Sequence, residues 1–175
     1  MDMPPANIST PPSSAPPQRL HFDSLTQEAY LNLWRTYDQL KAIEESLFDE
    51  FGISAQQYNT LRLLQSVHPA TMQTLDLRSR LVSRAPDMTR LLDKLQEKGF
   101  VERDRRAENR RVIDVRITEA GSALLSQLAS RVLACHQSQL GHLSQEQLRE
   151  FIRLLKLCRL PHEGQSTRWL LPPGD

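Results

Sequence analysis

The sequence predicts a mainly α-helical chain with one small β-hairpin. Three observations predict it. Apolar side chains recur three and four positions apart along most of the chain, Ser-x-x-Gln capping signals open two of those stretches, and the period changes to two-residue alternation only between Phe100 and Ile117. A length of 175 residues suits one compact domain with tails. Only 6 Gly accompany 11 Pro, so tight turns are few.

From Ser24 to Phe51 the residues Tyr30, Leu33, Trp34, Tyr37, Leu40, Ile43, Leu47, Phe48 and Phe51 keep helical spacing, and Gly52 supplies a stop. This predicts a long amphipathic helix. Ser54-Ala55-Gln56-Gln57 reads as a capping box, in which the Ser hydroxyl accepts from the third backbone N–H and the Gln side chain reaches back. Tyr58, Leu61 and Leu64 continue that second helix toward His68-Pro69. A short third helix is expected between Met72 and Leu81, with Leu77 and Leu81 inward. Ser83 offers a cap for a fourth, whose first turn tolerates Pro86 because the missing N–H has no intrahelical partner there. That fourth helix is expected to bury Ala85, Met88, Leu91, Leu92 and Leu95, turning Arg84, Asp87, Thr89, Arg90, Asp93 and Lys94 onto its other faces, and to end at Gly99.

Phe100 and Val101 open a strand, Asp104 to Arg111 reads as a loop, and Val112, Val115 and Ile117 return toward alternation. The hairpin therefore has an arginine-rich tip. Thr118 caps a helix running to about Leu140, and the capping box Ser144-Gln145-Glu146-Gln147 opens a last helix that Pro161 closes. Residues 1–20 hold six of the eleven prolines among Ser and Thr with almost no large apolar side chains, so this arm cannot bury enough surface to fold alone. After Pro161 the chain is similar, apart from the apolar knot Trp169-Leu170-Leu171.

The formal net charge is +1, yet residues 78–118 carry twelve Lys and Arg against seven Asp and Glu, leaving ten basic and fourteen acidic residues for all the rest. Positive charge gathered in a quarter of the chain is the electrostatic footprint expected at a phosphate backbone. No apolar run is long enough to span a membrane, and the start lacks signal-peptide character, so a cytoplasmic protein with no membrane partner is expected. No GxSxG, phosphate loop, HExxH or paired-carboxylate arrangement is present, so the sequence offers no enzyme chemistry.

Two short helices followed at once by a basic hairpin make a winged helix-turn-helix. Its second helix fits the major groove of B-DNA, where base edges are distinguishable, and an arginine at the hairpin tip reaches the negative potential of the minor groove. The run Ser83-Arg84-Ala85-Pro86-Asp87-Met88-Thr89-Arg90-Leu91-Leu92-Asp93-Lys94-Leu95-Gln96-Glu97-Lys98-Gly99-Phe100-Val101-Glu102-Arg103 resembles the recognition helix and first wing strand of the multiple antibiotic resistance regulator (MarR) family. Arg110-Arg111 through Val115, Ile117, Thr118 and Gly121 is similar to that family's second strand and entry to its dimer helix. The resemblance extends loosely over residues 24–160.

It implies a transcriptional regulator, usually a repressor, that binds a palindromic double-stranded operator as a homodimer and responds to a small aromatic or phenolic effector, with no cofactor. Arg84, Pro86, Asp87, Thr89 and Arg90 would face DNA, with Lys94 near the backbone. Arg111 would enter the minor groove, flanked by Arg105, Arg106 and Arg110. The effector pocket of the family is lined from the first, second and fifth helices. The implied organisation is a Pro-rich arm over 1–20, a regulator domain over 21–161 and a tail over 162–175. Within the domain, the winged helix-turn-helix spans about 54–117, and dimerisation helices span about 24–51 and 118–160. Two departures stand out: where the family usually has Asp-x-Arg at the wing, this chain has Asn109-Arg110-Arg111, and Arg78 stands where the third helix usually carries Ala. An amide in place of the carboxylate still accepts a hydrogen bond, but without charge assistance.

Other readings of the same residues differ in what they require. Asp104 and Glu108 could neutralise the hairpin arginines and leave a solvated turn with surface ion pairs. Alternatively, the winged helix could be a protein-interaction module whose basic patch meets an acidic partner. Asp87 could serve only as an N-terminal helix charge. Cys135 and Cys158 form no CxxC pair and read as reduced thiols. A redox-sensing regulator would need an accessible, low-pKa Cys135 with a cation or second polar group nearby, and the sequence offers only His136 beside it, which favours a buried structural thiol; Cys158 falls on the apolar side of the last helix with Phe151 and Leu155. His136 and His142 are six apart, a spacing that does not place them on one helical face to hold a metal.

Overall fold

The computed structural model describes residues 21–82, 87–105 and 112–163. Two compact units are present, Met1–Tyr37 and Asp38–Asp175, with the boundary inside the first helix. Six α-helices are described: α1 Leu25–Asp49, α2 Ala55–Val67, α3 Thr74–Arg80, α4 Met88–Glu97, α5 Glu119–Leu140 and α6 Gln145–Arg159. Three strands, β1 Met72–Gln73, β2 Val101–Arg105 and β3 Ile113–Ile117, form an antiparallel sheet in the order β1-β3-β2.

The helix boundaries follow the local chemistry. Gly52, at φ 63°, takes the left-handed conformation that ends α1. Both capping boxes are formed: Ser54 and Ser144 each accept from the backbone N–H of the residue three positions on, and the Gln57 and Gln147 side chains accept from the cap N–H groups. The Thr118 hydroxyl accepts from Gly121 N–H at 3.1 Å and donates to the Gly99 carbonyl at 2.7 Å, so one side chain caps α5 and pins it to the turn before β2. Pro161 lies in a short 3-10 turn, Leu160–His162, immediately after α6.

The core belongs to the second unit. Phe48 from α1, Leu61 and Leu64 from α2, Leu77 from α3, Leu92 and Leu95 from α4, Val101 and Val115 from the sheet and Leu128 from α5 are all within 2% of full burial. Each such side chain contributes about 1.5–3 kcal/mol by leaving water. The α4 periodicity is realised residue by residue, with Met88, Leu91, Leu92 and Leu95 buried, and Leu77 and Leu81 point inward as their spacing predicts.

Several expectations are corrected. The cap of α4 is Asp87 rather than Ser83, and the first helical residue is Met88; Ser83, Arg84, Ala85 and Pro86 lie outside the described residues. The first wing strand runs through Asp104 to Arg105 instead of ending before them, because backbone pairing with Asp114 and Ile113 holds whatever the side chains carry. The sheet gains β1, in which Met72 pairs with Val115 and Gln73 with Asp114. Two residues are too short to show alternation. Cys158 is exposed, and α6 has no buried residue. Along α1 only Leu47 and Phe48 are buried; Ile43 in the second unit is exposed, as are Tyr30, Leu33, Trp34 and Tyr37 in the first.

Candidate nucleic-acid interface

The α4 helix divides its residues cleanly. With its four apolar side chains in the core, Thr89, Arg90 and Lys94 are left exposed, and Arg90 and Lys94 stand one turn apart on the same face. Asp87 is exposed at the N-terminus, where its carboxylate accepts from Arg90 N–H at 3.1 Å. A niche of about 190 Å³ lies between the start of α2 and this face, lined by Ser54, Gln56, Gln57, Asp87, Arg90, Leu91 and Lys94. Arg78, on α3, is also exposed.

The wing has two differently built faces. On one, Arg116 of β3 stands opposite Glu102, bonds its carboxylate at 2.6 Å, and lies 3.6 Å from Asp104. The bond to Glu102, reinforced by its negative charge, pushes the Arg116 guanidinium still further above its ordinary value. On the other, alternation turns Val101 into the core and Arg103 toward α4, where its guanidinium donates to Asp93 at 2.6 Å and to Gln96. Arg105, the last residue of β2, is exposed.

Of the residues expected to meet DNA, the structure places Asp87, Thr89, Arg90 and Lys94 together along the exposed side and start of α4, and Arg105 at the wing end. Arg84, Pro86, Arg106, Arg110 and Arg111 lie outside the described residues, as does Asn109. Sequence reasoning did not single out the Arg103, Asp93 and Gln96 cluster. The signal was available, because two-residue alternation from buried Val101 puts Arg103 on the inner face and three-residue spacing puts Asp93 and Gln96 on one side of α4.

A second feature is a cleft of about 1180 Å³ between α2, the end of α3 and α5. Its walls include the apolar Leu63, Val82, Leu125 and Leu133 and the cationic or polar Arg62, Arg80 and His136. Arg62 donates to the Tyr58 hydroxyl at 3.2 Å and lies 6.0 Å from that ring's centroid. Arg80 Nε is buried without a hydrogen-bond partner.

The thiol of Cys135 is buried, and burial pushes its pKa up, with the negative charge of Glu44 adding to the effect. That is opposite to the shift a thiolate sensor needs. Among the described residues no group of three or more His, Cys, Asp or Glu could hold a metal ion, and no helix is long and apolar enough to cross a membrane.

Comparison with known proteins gives these elements a family. The MarR family model matches residues 53–113, which run from the start of α2 into β3. A MarR transcription factor from Planctomyces limnophilus, known from its crystal structure, is 58% identical, with 78% of this chain and 99% of that one covered and a TM-score of 0.63. The transcriptional repressor MprA of Escherichia coli is 28% identical over 151 residues, covering 83% of this chain and 85% of the relative. A mutant MarR from E. coli, solved in complex with operator DNA, shares the fold at a TM-score of 0.66 and 22% identity, covering 78% and 99% of the two chains. Members of this family regulate transcription and are not enzymes. With the winged-helix elements in place and more than half of the aligned residues identical to a relative it spans almost completely, the chain belongs to the MarR family of transcription factors.

Proposed function

We propose that the protein is a repressor that binds a palindromic operator as a homodimer in the cytoplasm, with α4 in the major groove, the wing at the adjacent minor groove, and a small aromatic or phenolic effector modulating affinity. The observation that carries this reading is the division of α4, whose buried Met88, Leu91, Leu92 and Leu95 hold an exposed Thr89, Arg90 and Lys94 in fixed orientation beside the base of the wing. Thr89 and Arg90 would read base edges, Arg84 and Pro86 would lie at the entry to the same helix, and Lys94 would meet the phosphate backbone. Asp87 would face DNA while capping. Arg111 would enter the minor groove between Arg105, Arg106 and Arg110. The E. coli relative complexed with operator DNA and the repressor MprA support the assignment.

The exposed aromatic side chains Tyr30, Trp34 and Tyr37, and the exposed Ile152 and Leu157 of α6 with Leu160 just after it, support dimerisation by helices over about 24–51 and 118–160, flanking a winged helix-turn-helix over about 54–117. Large apolar side chains in such number are costly to leave in water. The Pro-rich arm over 1–20 and the tail over 162–175 would lie outside this regulator domain. The cleft supports the effector reading: its apolar walls suit a ring, and the unpartnered Arg80 Nε suits an anionic group. Arg80, Leu81 and Val82 lie just ahead of the segment that enters α4, so a ligand there would weaken operator binding by the ratio of its affinities for the DNA-competent and incompetent geometries.

The test is capture of sheared genomic DNA by the purified protein, sequenced and repeated at two salt concentrations. The reading expects a few palindromic sites that persist at the higher salt. Uniform enrichment that vanishes with salt would replace it with a basic surface lacking sequence recognition.

A further inference from the structure

We propose that Arg103 is a positioning residue for DNA recognition, tying the wing to the recognition helix through Asp93 and Gln96 while making no contact with DNA itself. The inference rests on the operator-binding reading above and adds a role for a basic residue that the reading does not use.

The geometry comes from three regular elements. Strand β2 starts at Val101, which is 1% exposed, so the strand's alternation sends Arg103 inward to the same side. Asp93 and Gln96 are three residues apart in α4 and present two acceptors to that side. Nη2 of Arg103 donates to Asp93 Oδ1 at 2.6 Å, and Nε donates to Gln96 Oε1. A planar guanidinium held by two acceptors from one helix is fixed in orientation as well as distance, which a flexible ammonium would not achieve.

The same contacts make Arg103 a poor phosphate ligand. Its side chain is 23% exposed against 48% for Arg116, and a carboxylate already neutralises its charge. What it can do is limit rotation of the wing. The backbone link between α4 and β2 is the short turn at Lys98, Gly99 and Phe100, closed by a hydrogen bond from Phe100 N–H to the Leu95 carbonyl at 2.9 Å. Gly99 sits at φ 73°, and a Cβ there would touch nothing within 4 Å, so the turn has no side-chain packing of its own at that point. Besides the bond from the Thr118 hydroxyl to the Gly99 carbonyl, the Arg103 bracket is a further tether, made from the third residue of β2 directly to α4. With it, the angle between α4 and the wing is set before DNA arrives, and less ordering cost falls on binding.

The experiment uses the full-length protein and the operator fragment recovered by genomic capture. Affinity as a function of salt and hydroxyl-radical footprints are measured for the wild type, Arg103→Ala, Arg103→Lys, Asp93→Asn and the double variant, with thermal melts to verify folding. The expected result is a roughly tenfold loss of affinity for Arg103→Ala with an unchanged salt slope. Minor-groove protection at the wing should be lost while protection by α4 persists. Asp93→Asn should reproduce that pattern, the double variant should be no worse than either single one, and Arg103→Lys should recover only part of the affinity. A salt slope reduced by about one in Arg103→Ala would show a phosphate contact and overturn the proposal. So would unchanged affinity and footprint in a folded Arg103→Ala. A wild type that selects no specific site would overturn the operator-binding reading and this inference together, whereas specific wild-type binding with an indifferent variant overturns this inference alone.

Discussion

The Asp87 carboxylate accepts a hydrogen bond from Arg90 N–H at 3.1 Å, so Asp87 at the head of α4 is that helix's cap. Removing it leaves an N-terminal donor without a partner. Asp87→Ala is expected to lower stability by about 1 kcal/mol, and Asp87→Asn or Asp87→Ser to restore most of it, because each retains a side-chain oxygen at the cap. Urea denaturation of the three variants checks this; an alanine variant as stable as the wild type would contradict the capping role.

Gly121 occupies the first turn of α5 against the start of the wing. A Cβ there would stand 2.5 Å from the Phe100 carbonyl oxygen and 2.7 Å from Ile117 Cγ1, closer than packed atoms tolerate, and the carbonyl cannot turn aside like a side chain. Helix propensity alone would favour Ala over Gly by about 1 kcal/mol. The close approach reverses the sign, and Gly121→Ala is expected to cost about 1–3 kcal/mol. A higher Tm for Gly121→Ala would refute the close packing of α5 on the hairpin.

Glu44 is half-buried on α1, and its carboxyl is held above its ordinary value of 4.5, chiefly by burial; His136 opposes the shift and Glu45 adds to it. A carboxyl with a raised folded-state pKa binds its proton more tightly when folded. Its contribution to stability is therefore full below the unfolded value and is lost as pH rises through the folded one. Glu44→Gln should be more stable than the wild type near pH 7, and the difference should close as pH falls toward about 4. Parallel denaturation curves at the two pH values measure it, and a pH-independent difference would count against the burial argument.

The raised pKa and burial of Cys135 predict a slow thiol. Alkylation by iodoacetamide, followed by mass spectrometry of the Cys135 peptide, should proceed much more slowly in the native protein than in denaturant. Rapid native labelling of Cys135 would revive the redox-sensing alternative.

Most of the helical frame was legible because it is written in local chemistry. Both Ser-x-x-Gln boxes, the Thr118 cap, and the stops at Gly52 and Gly99 depend on residues within a turn of one another. The burial of Met88, Leu91, Leu92 and Leu95 follows from their period alone. What escaped depends on partners distant in sequence. Met72 joins the sheet only because Val115 lies opposite it, 43 positions on. The start of α4 moved because Ser83 and Asp87 are both good caps, and sequence offered no means to choose between them. Arg103 belongs to a basic hairpin by composition, but the strand's register, rather than its charge, decides that it faces a helix. Cys158 lies on the apolar side of α6 with Phe151 and Leu155 yet is exposed, because that stripe is not covered by this chain's own core.

The central claim is that the exposed face of α4 reads DNA. Its most direct test is the salt dependence of operator binding by fluorescence anisotropy for the wild type, Arg90→Ala and Lys94→Ala. A base-reading Arg90 predicts that Arg90→Ala costs about 1–3 kcal/mol on the operator and relaxes sequence preference, while a phosphate-bound Lys94 predicts that Lys94→Ala weakens all sequences alike and lowers the salt slope by about one. Unchanged operator affinity and salt slope in both folded variants would contradict the docking of α4 on DNA.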